Sequence, residues 1–272
     1  MYKDILVHID ASPGCARRLD MGVALARRFG GRLKAVFAQQ ELANASMIAR
    51  QRSSALEQAA AEARRLVEAR AAAEALDLTW LETSSGHPEV LVRELVVAAR
   101  FADIAVVSQP DSEHWVRSVP NSLAEDLIRY SGRPVMIVPL EGWTGTLATR
   151  VLVAWNASRE AARALGDALP LLHGSAEVLV LSRHAAEEAG VQDDRWPGIV
   201  EHLKSHGVSA VKADWAVDDI GVMDLLLTQA ADHSSDLIVM GAHGEHESLF
   251  ARSGVGTRFV LRHMTVPILM AH

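Results

Sequence analysis

Residues 4–12 read DILVHIDAS, and residues 150–158 read RVLVAWNAS. Matching Ile5 with Val151 and Asp10 with Asn156 sets these stretches 146 positions apart. Further on, ADIAVVS (102–108) matches SDLIVMG (235–241), and RPVMIVP (133–139) matches VPILMAH (266–272), with Pro134 on Pro267 and an offset of 133. Similar segments in the same order mean a duplicated unit. The offsets differ by 13, so the first copy carries that many extra residues in its middle. The expected division is a domain over residues 1–139, a linker LEGWTGTLAT over 140–149, rich in Gly and Thr, and a second domain over 150–272.

Within each copy, short runs of Val, Ile and Leu alternate with stretches of helical periodicity. In the first copy the pattern predicts strands at 4–9, 32–38, 78–83, 103–108 and 134–138. Helices are expected at 13–29, 44–76, from His87-Pro88 onward, and at 122–130, with Gly30-Gly31 closing the first. The second copy predicts strands at 150–155, 176–182, 209–217, 236–240 and 267–271, and helices at 159–172, 196–206, 220–232 and 258–263. Strands this continuously apolar are buried on both faces. The fold class is therefore α/β, as two tandem three-layer α/β/α domains, each with a five-stranded parallel sheet. In such sheets a ligand binds beyond the carboxyl ends of the strands where strand order reverses. The most unusual residues follow strands 1 and 4, which puts the expected crevice between those two.

Composition narrows the function. The chain has 272 residues, 49% hydrophobic and 22% charged, the profile of a globular protein. A net charge of −7 and a pI near 5.9 exclude the basic footprint of nucleic-acid binding and give no attraction to anionic membrane surfaces. The start, MYKDILVHIDAS, lacks the apolar core and cleavage site of a secretion signal, and no run reaches the length of a membrane helix. Cys15 is the only cysteine, so no intrachain disulfide forms. The expected compartment is the cytoplasm, and Cys15 reads as a packed side chain rather than a reactive thiol.

Residues 236–257, DLIVMGAHGEHESLFARSGVGT, carry the chemistry. An apolar strand runs into Gly241 and Gly244, crosses nine residues, and reaches Gly254 and Gly256 before a helical pattern. Glycines there let backbone N–H groups approach a phosphate closely; glycine after a strand also serves any tight turn.

The strand-1 endings IDAS and WNAS, the Gly-x-x-Gly-x9-Gly run after strand 4 and the closing VPILMAH together resemble the universal stress protein family in its tandem two-domain form. The resemblance spans nearly the whole chain. It implies an adenine nucleotide alpha-hydrolase-like fold, binding of ATP or a related adenine nucleotide by many members and of none by those without the motif, and pairing of domains, or of two copies, through fifth strands. Here that would pair 134–138 with 267–271. Carried over by position, the resemblance implies a nucleotide site in the second half. Asn156 takes the place that reaches the adenine, and Ser182 ends strand 2. Met240, Gly241, His243 and Gly244 form the turn after strand 4. Gly254, Val255 and Gly256 lead into the last helix, whose N-terminus would meet the phosphates, with Mg²⁺ as their counter-ion. The family pattern has Ser or Thr where this chain has Val255, and Ser253 or Thr257 would compensate only if the loop shifts.

The first half lacks this site. Ser108, Asp111 and Asn121 stand where the second half has Gly241, Gly244 and Gly254, and Asp111 and Glu113 would repel phosphate. Asp10 reads as a helix cap or turn residue, and this half as a structural partner. His202 and His206 have metal-pair spacing, and His243 and His246 lie close, but neither pair has a third ligand. The six tryptophans are scattered, as packing residues are. No nucleophile elbow or lysine-bearing phosphate loop occurs. An adenylating or pyrophosphatase relative is disfavoured, because IDASPG lacks the Ser-Gly-Gly turn. The sequence therefore predicts a cytoplasmic stress-response protein whose second domain senses an adenine nucleotide and regulates a protein partner. The alternatives are an interaction scaffold without nucleotide, or a slow ATP hydrolase using Glu245 or Glu247.

Overall fold

The computed structural model describes residues 1–41, 52–111, 118–141, 143, 145–184, 195–216, 221–243 and 254–272. The chain separates into two compact units, Met1–Leu140 and Glu141–His272. In the first, the elements run β1 (Asp4–Ile9), α1 (Cys15–Phe29), β2 (Arg32–Phe37), α2 (Ser54–Ala73), β3 (Leu78–Glu82), α3 (Pro88–Arg100), β4 (Ile104–Ser108), α4 (Leu123–Tyr130) and β5 (Val135–Val138). The second runs β6 (Arg150–Trp155), α5 (Arg159–Leu172), β7 (Glu177–His184), α6 (Arg195–Ser205), β8 (Val211–Ala216), α7 (Val222–Asp232), β9 (Leu237–Gly241), α8 (Val255–His263) and β10 (Ile268–Ala271).

The first unit orders its strands β3-β2-β1-β4-β5, and the second β10-β9-β6-β7-β8, with parallel pairing throughout these ladders. Strand order reverses beside the first strand of each unit, between β1 and β4 and between β6 and β9. Those are the switch points where a crevice opens in such sheets. The strands beside these switch points, such as β1, β4 and β9, are almost wholly buried, which is why they read as unbroken apolar runs.

Local sequence sets the element ends. Ser53 and Ser158 each turn a hydroxyl to a helix N-terminus, accepting from Leu56 N at 3.2 Å and from Ala161 N at 3.1 Å. Gly30 closes α1 in the left-handed region at φ 57°. The repeated aspartate before strand 4 has one job in both units. Asp103 accepts from Lys3 N and Asp4 N at 2.6 and 2.9 Å, and Asp236 from Thr149 N and Arg150 N at 2.9 and 3.0 Å. Each carboxylate ties the start of one central strand to its neighbour.

Several sequence expectations shift: β7 runs on to His184 rather than ending at 182, and β8 starts at Val211 rather than 209. The helix expected over 44–76 is described as α2, starting at Ser54 after its Ser53 cap; residues 44–51 lie outside the described residues. The last helix begins at Val255 rather than 258, because Gly254 in the left-handed region (φ 89°) is its cap. Val255 and Gly256 therefore belong to its first turn. Among the described residues no helix is long and apolar enough to cross a membrane.

Candidate functional site in the second unit

The crevice of the first unit is filled by its own side chains. Arg18 rises from α1 and pairs with Asp10 at the end of β1, both side chains 1% exposed. The guanidinium also donates from Nε to the His8 carbonyl at 2.9 Å and from Nη1 to Ser108 Oγ at 2.6 Å. Asp10 accepts from the hydroxyls of Ser12 at 2.6 Å and Ser118 at 2.7 Å, and from Ser12 N at 3.1 Å. Asp10 is thus a turn residue, as expected, and also one half of a buried ion pair that nothing in its own segment announced. Although burial opposes its charge, the Arg18 guanidinium holds the Asp10 carboxyl far below the usual range. The neighbouring His8 ring bonds Ala38 O at 2.8 Å through Nε2, and burial followed by the Arg18 charge lowers its pKa to about 4. Burial raises the Cys15 thiol, which keeps it protonated and inert.

In the second unit the offset of 146 puts Ala154, Asn156 and Ala164 where the first has His8, Asp10 and Arg18. The ion pair has no counterpart here. Asn156 is exposed, its Oδ1 accepting from Ser158 N at 3.1 Å, and Ala157 beside it has φ 60°. Ser182 is buried and in register with Trp155, but β7 runs on to His184, so Ser182 lies two residues inside the strand rather than at its end as expected.

Gly241 is required by packing. A Cβ there would lie 2.5 Å from Ala161 N and from the Glu160 carbonyl carbon, so α5 presses on the end of β9. The first unit exchanges the two roles: a Cβ on Gly14 would lie 3.0 Å from the Ser108 hydroxyl, so small meets large in the reverse order. Glu160, in the first turn of α5, is buried. Burial works against its charge, yet its own backbone N–H, Ser158 and Arg159 hold it below the ordinary carboxylate range.

Beyond Gly241 the turn is tied down. Met240 is buried in register with Met270, and Ala242 N donates to Ala271 O at 2.9 Å. His243 is buried at φ 58°, and its N–H donates to Thr257 Oγ1 at 3.2 Å. Thr257 Oγ1 thus holds the turn as an acceptor and is buried, while its own O–H is not consumed by that bond. A Cβ on Gly254 would meet His243 Nδ1 at 2.7 Å and Arg258 Nη1 at 3.2 Å, so imidazole and guanidinium both border the start of α8. The first bond of the helical ladder is Arg258 N to Gly254 O at 3.0 Å. The N–H groups of Val255, Gly256 and Thr257 precede it, and Val255 is 48% exposed. Gly244, Glu245, His246, Glu247 and Ser253 lie outside the described residues, as does Glu113.

Of the expected site residues, Asn156 follows β6, Ser182 lies within β7, Met240 and Gly241 end β9 with His243 two residues on, and Gly254, Val255 and Gly256 stand at the α8 start. Sequence reasoning did not single out Arg18, Glu160 or Arg258, which a helix pattern absorbs without comment, and read Trp155 as one of six packing tryptophans. His202 and His206 do meet, with ring centroids 4.7 Å apart, but the described residues hold no group of three metal-ligating side chains.

A doubly wound parallel sheet whose strand order reverses beside its first strand defines a layered α/β protein. The universal stress protein family model matches residues 1–139, and the chain belongs to that family. Among solved structures, a universal stress protein from Archaeoglobus fulgidus superposes over 98% of this chain and 95% of its own, with TM-score 0.75 and 17% identity. A universal stress protein from Pseudomonas aeruginosa UCBPP-PA14 follows at 0.63 and 14%, over 99% and 93%. A third, of unknown function from Pseudomonas aeruginosa PAO1, gives 0.61 and 15%, over 99% and 92%. At these identities the likeness is one of fold. No curated protein matched by sequence.

Proposed function

We propose that the second unit binds ATP or a related adenine nucleotide, and that occupancy tunes a cytoplasmic stress-response protein toward its partners. The observation that carries this reading is the contrast between two equivalent crevices. One is closed by Arg18 and Asp10; the other has Ala164 and an exposed Asn156 in their places. Asn156 offers an amide able to donate to and accept from a purine edge. The α8 start supports anion binding, through N–H groups ahead of the helical ladder, the positive dipole end and the Arg258 guanidinium beside Gly254. Gly244 and the Mg²⁺ counter-ion enter this proposal on the family resemblance alone. So does pairing of the two units through their fifth strands.

The test is to denature the purified chain, chromatograph the supernatant with detection at 260 nm, and titrate the apo protein with ATP and Mg²⁺ by calorimetry. One equivalent of nucleotide, or saturable binding lost in Asn156→Ala, supports the sensor. A scaffold without nucleotide is the second reading. It is favoured by the His243 N–H already being engaged by Thr257, and absent binding with no thermal shift would establish it.

A further inference from the structure

Among indoles whose side chains are described, Trp80 Nε1 donates to Glu82 Oε1 and Trp143 Nε1 to Thr146 O, each at 2.7 Å. Trp155 differs. Its Nε1 is buried and has no hydrogen-bond partner among the described residues. Buried donors are almost always paired, and an unpaired one is destabilising, so its persistence calls for a reason.

The position supplies one. Trp155 is the last residue of β6, immediately before exposed Asn156 and in register with buried Ser182 on β7. It therefore stands at the end of β6 beside the two residues assigned to the base end of the crevice. The equivalent residue of the closed unit is Ile9, fully buried and with no side-chain donor at all. A donor appears only in the unit whose crevice is not filled by its own ion pair.

We propose that Trp155 is a specificity residue of the second unit, its indole N–H donating to an acceptor atom on the nucleoside of the bound nucleotide. This rests on the nucleotide reading above. The physical advantage is that the donor lost its water when the chain folded. Ligand acceptors then gain a bond without the donor's desolvation opposing it. Phosphate is the less fitting acceptor, because the anion-favouring groups lie at the other end of the site, around Gly254 and Arg258.

Trp155→Phe keeps a large aromatic ring and removes the N–H. Calorimetric titration of wild type and variant with ATP, and with tripolyphosphate as a base-free probe, separates the ligand ends. We expect ATP affinity to fall about tenfold, equivalent to about 1.4 kcal/mol, with tripolyphosphate affinity unchanged. The ligand-free variant should melt at the same temperature or higher, since an unsatisfied donor has gone. Unchanged ATP affinity in the variant overturns the assignment while leaving the nucleotide reading intact. Equal weakening of both ligands, or a melting temperature lower by more than roughly 5 °C, makes Trp155 a structural residue and also overturns it. A wild-type chain that binds no nucleotide sinks the nucleotide reading and this assignment together.

Discussion

Arg18 and Asp10 close the first crevice from within: a guanidinium on α1 meets a carboxylate at the end of β1, and neither side chain is more than 1% exposed. Two charges so placed are tolerated because Ser12, Ser108, Ser118 and the His8 carbonyl are turned toward them. Removing one charge strands the other. Arg18→Ala should destabilise the first unit by about 3–5 kcal/mol, whereas the paired replacement Asp10→Asn with Arg18→Met should lose far less. Urea denaturation of the two variants checks this, and equal losses would mean the ion pair is not what the unit depends on.

His8 gives the first unit a pH dependence of definite sign. Its folded pKa of about 4 lies below the unfolded value, about 6.5. Between those values the unfolded chain takes up a proton that the folded chain refuses. Stability is therefore full above pH 6.5 and declines as pH falls toward 4, by about 3 kcal/mol in all. Arg18 stays charged in both states and adds no slope, while Asp10, its folded pKa depressed, adds a further loss only toward pH 4, where the unfolded carboxyl begins to take up a proton. Stability curves from pH 7 to 4 should be flatter in His8→Gln than in wild type; parallel curves would remove His8 from the explanation.

Gly241 and Ser108 offer an exchange. Gly241→Ser should destabilise the second unit by about 1–3 kcal/mol, because the new side chain meets the α5 backbone at Glu160 and Ala161. Adding Glu160→Gly removes only the Glu160 Cβ contact at 2.8 Å and leaves both backbone contacts at 2.5 Å, so less than half of the loss should return. Thermal melts of the two single variants and the double close the cycle. Additive losses would show that the two residues are not coupled.

Val255, at the first position of α8 and 48% exposed, stands where the family has a hydroxyl. Val255→Ser should leave stability within about 0.5 kcal/mol, as exposed substitutions do. ATP affinity should rise severalfold through an added donor at the helix start. Calorimetry decides, and a loss of affinity would count against phosphate binding at this helix.

Most elements were legible because each rests on local pattern. Apolar runs fixed β6 and α5 to the residue, and Ser158 before an amphipathic run marked the helix start. Boundaries slipped where a long-range contact chose them. The start of α8 moved back to Val255 because Gly254 adopts a left-handed turn against the His243 ring, a contact between residues eleven positions apart. The glycine motif was readable as a candidate phosphate loop, but Gly241 also answers to α5 pressing on β9, and no spacing rule shows which helix will press there.

By itself the sequence determined the duplication, the parallel α/β class and the loss of the glycine motif from the first half, since periodicity, repeat and residue type are properties of neighbours along the chain. Tertiary structure alone decided that Arg18 from a helix and Asp10 from a strand would meet and close one crevice, that Thr257 would hold the His243 amide, and that the Trp155 indole would be left without a partner among the described residues. Those outcomes depend on which side chains the packed layers bring within hydrogen-bond distance, and chain order carries no record of that.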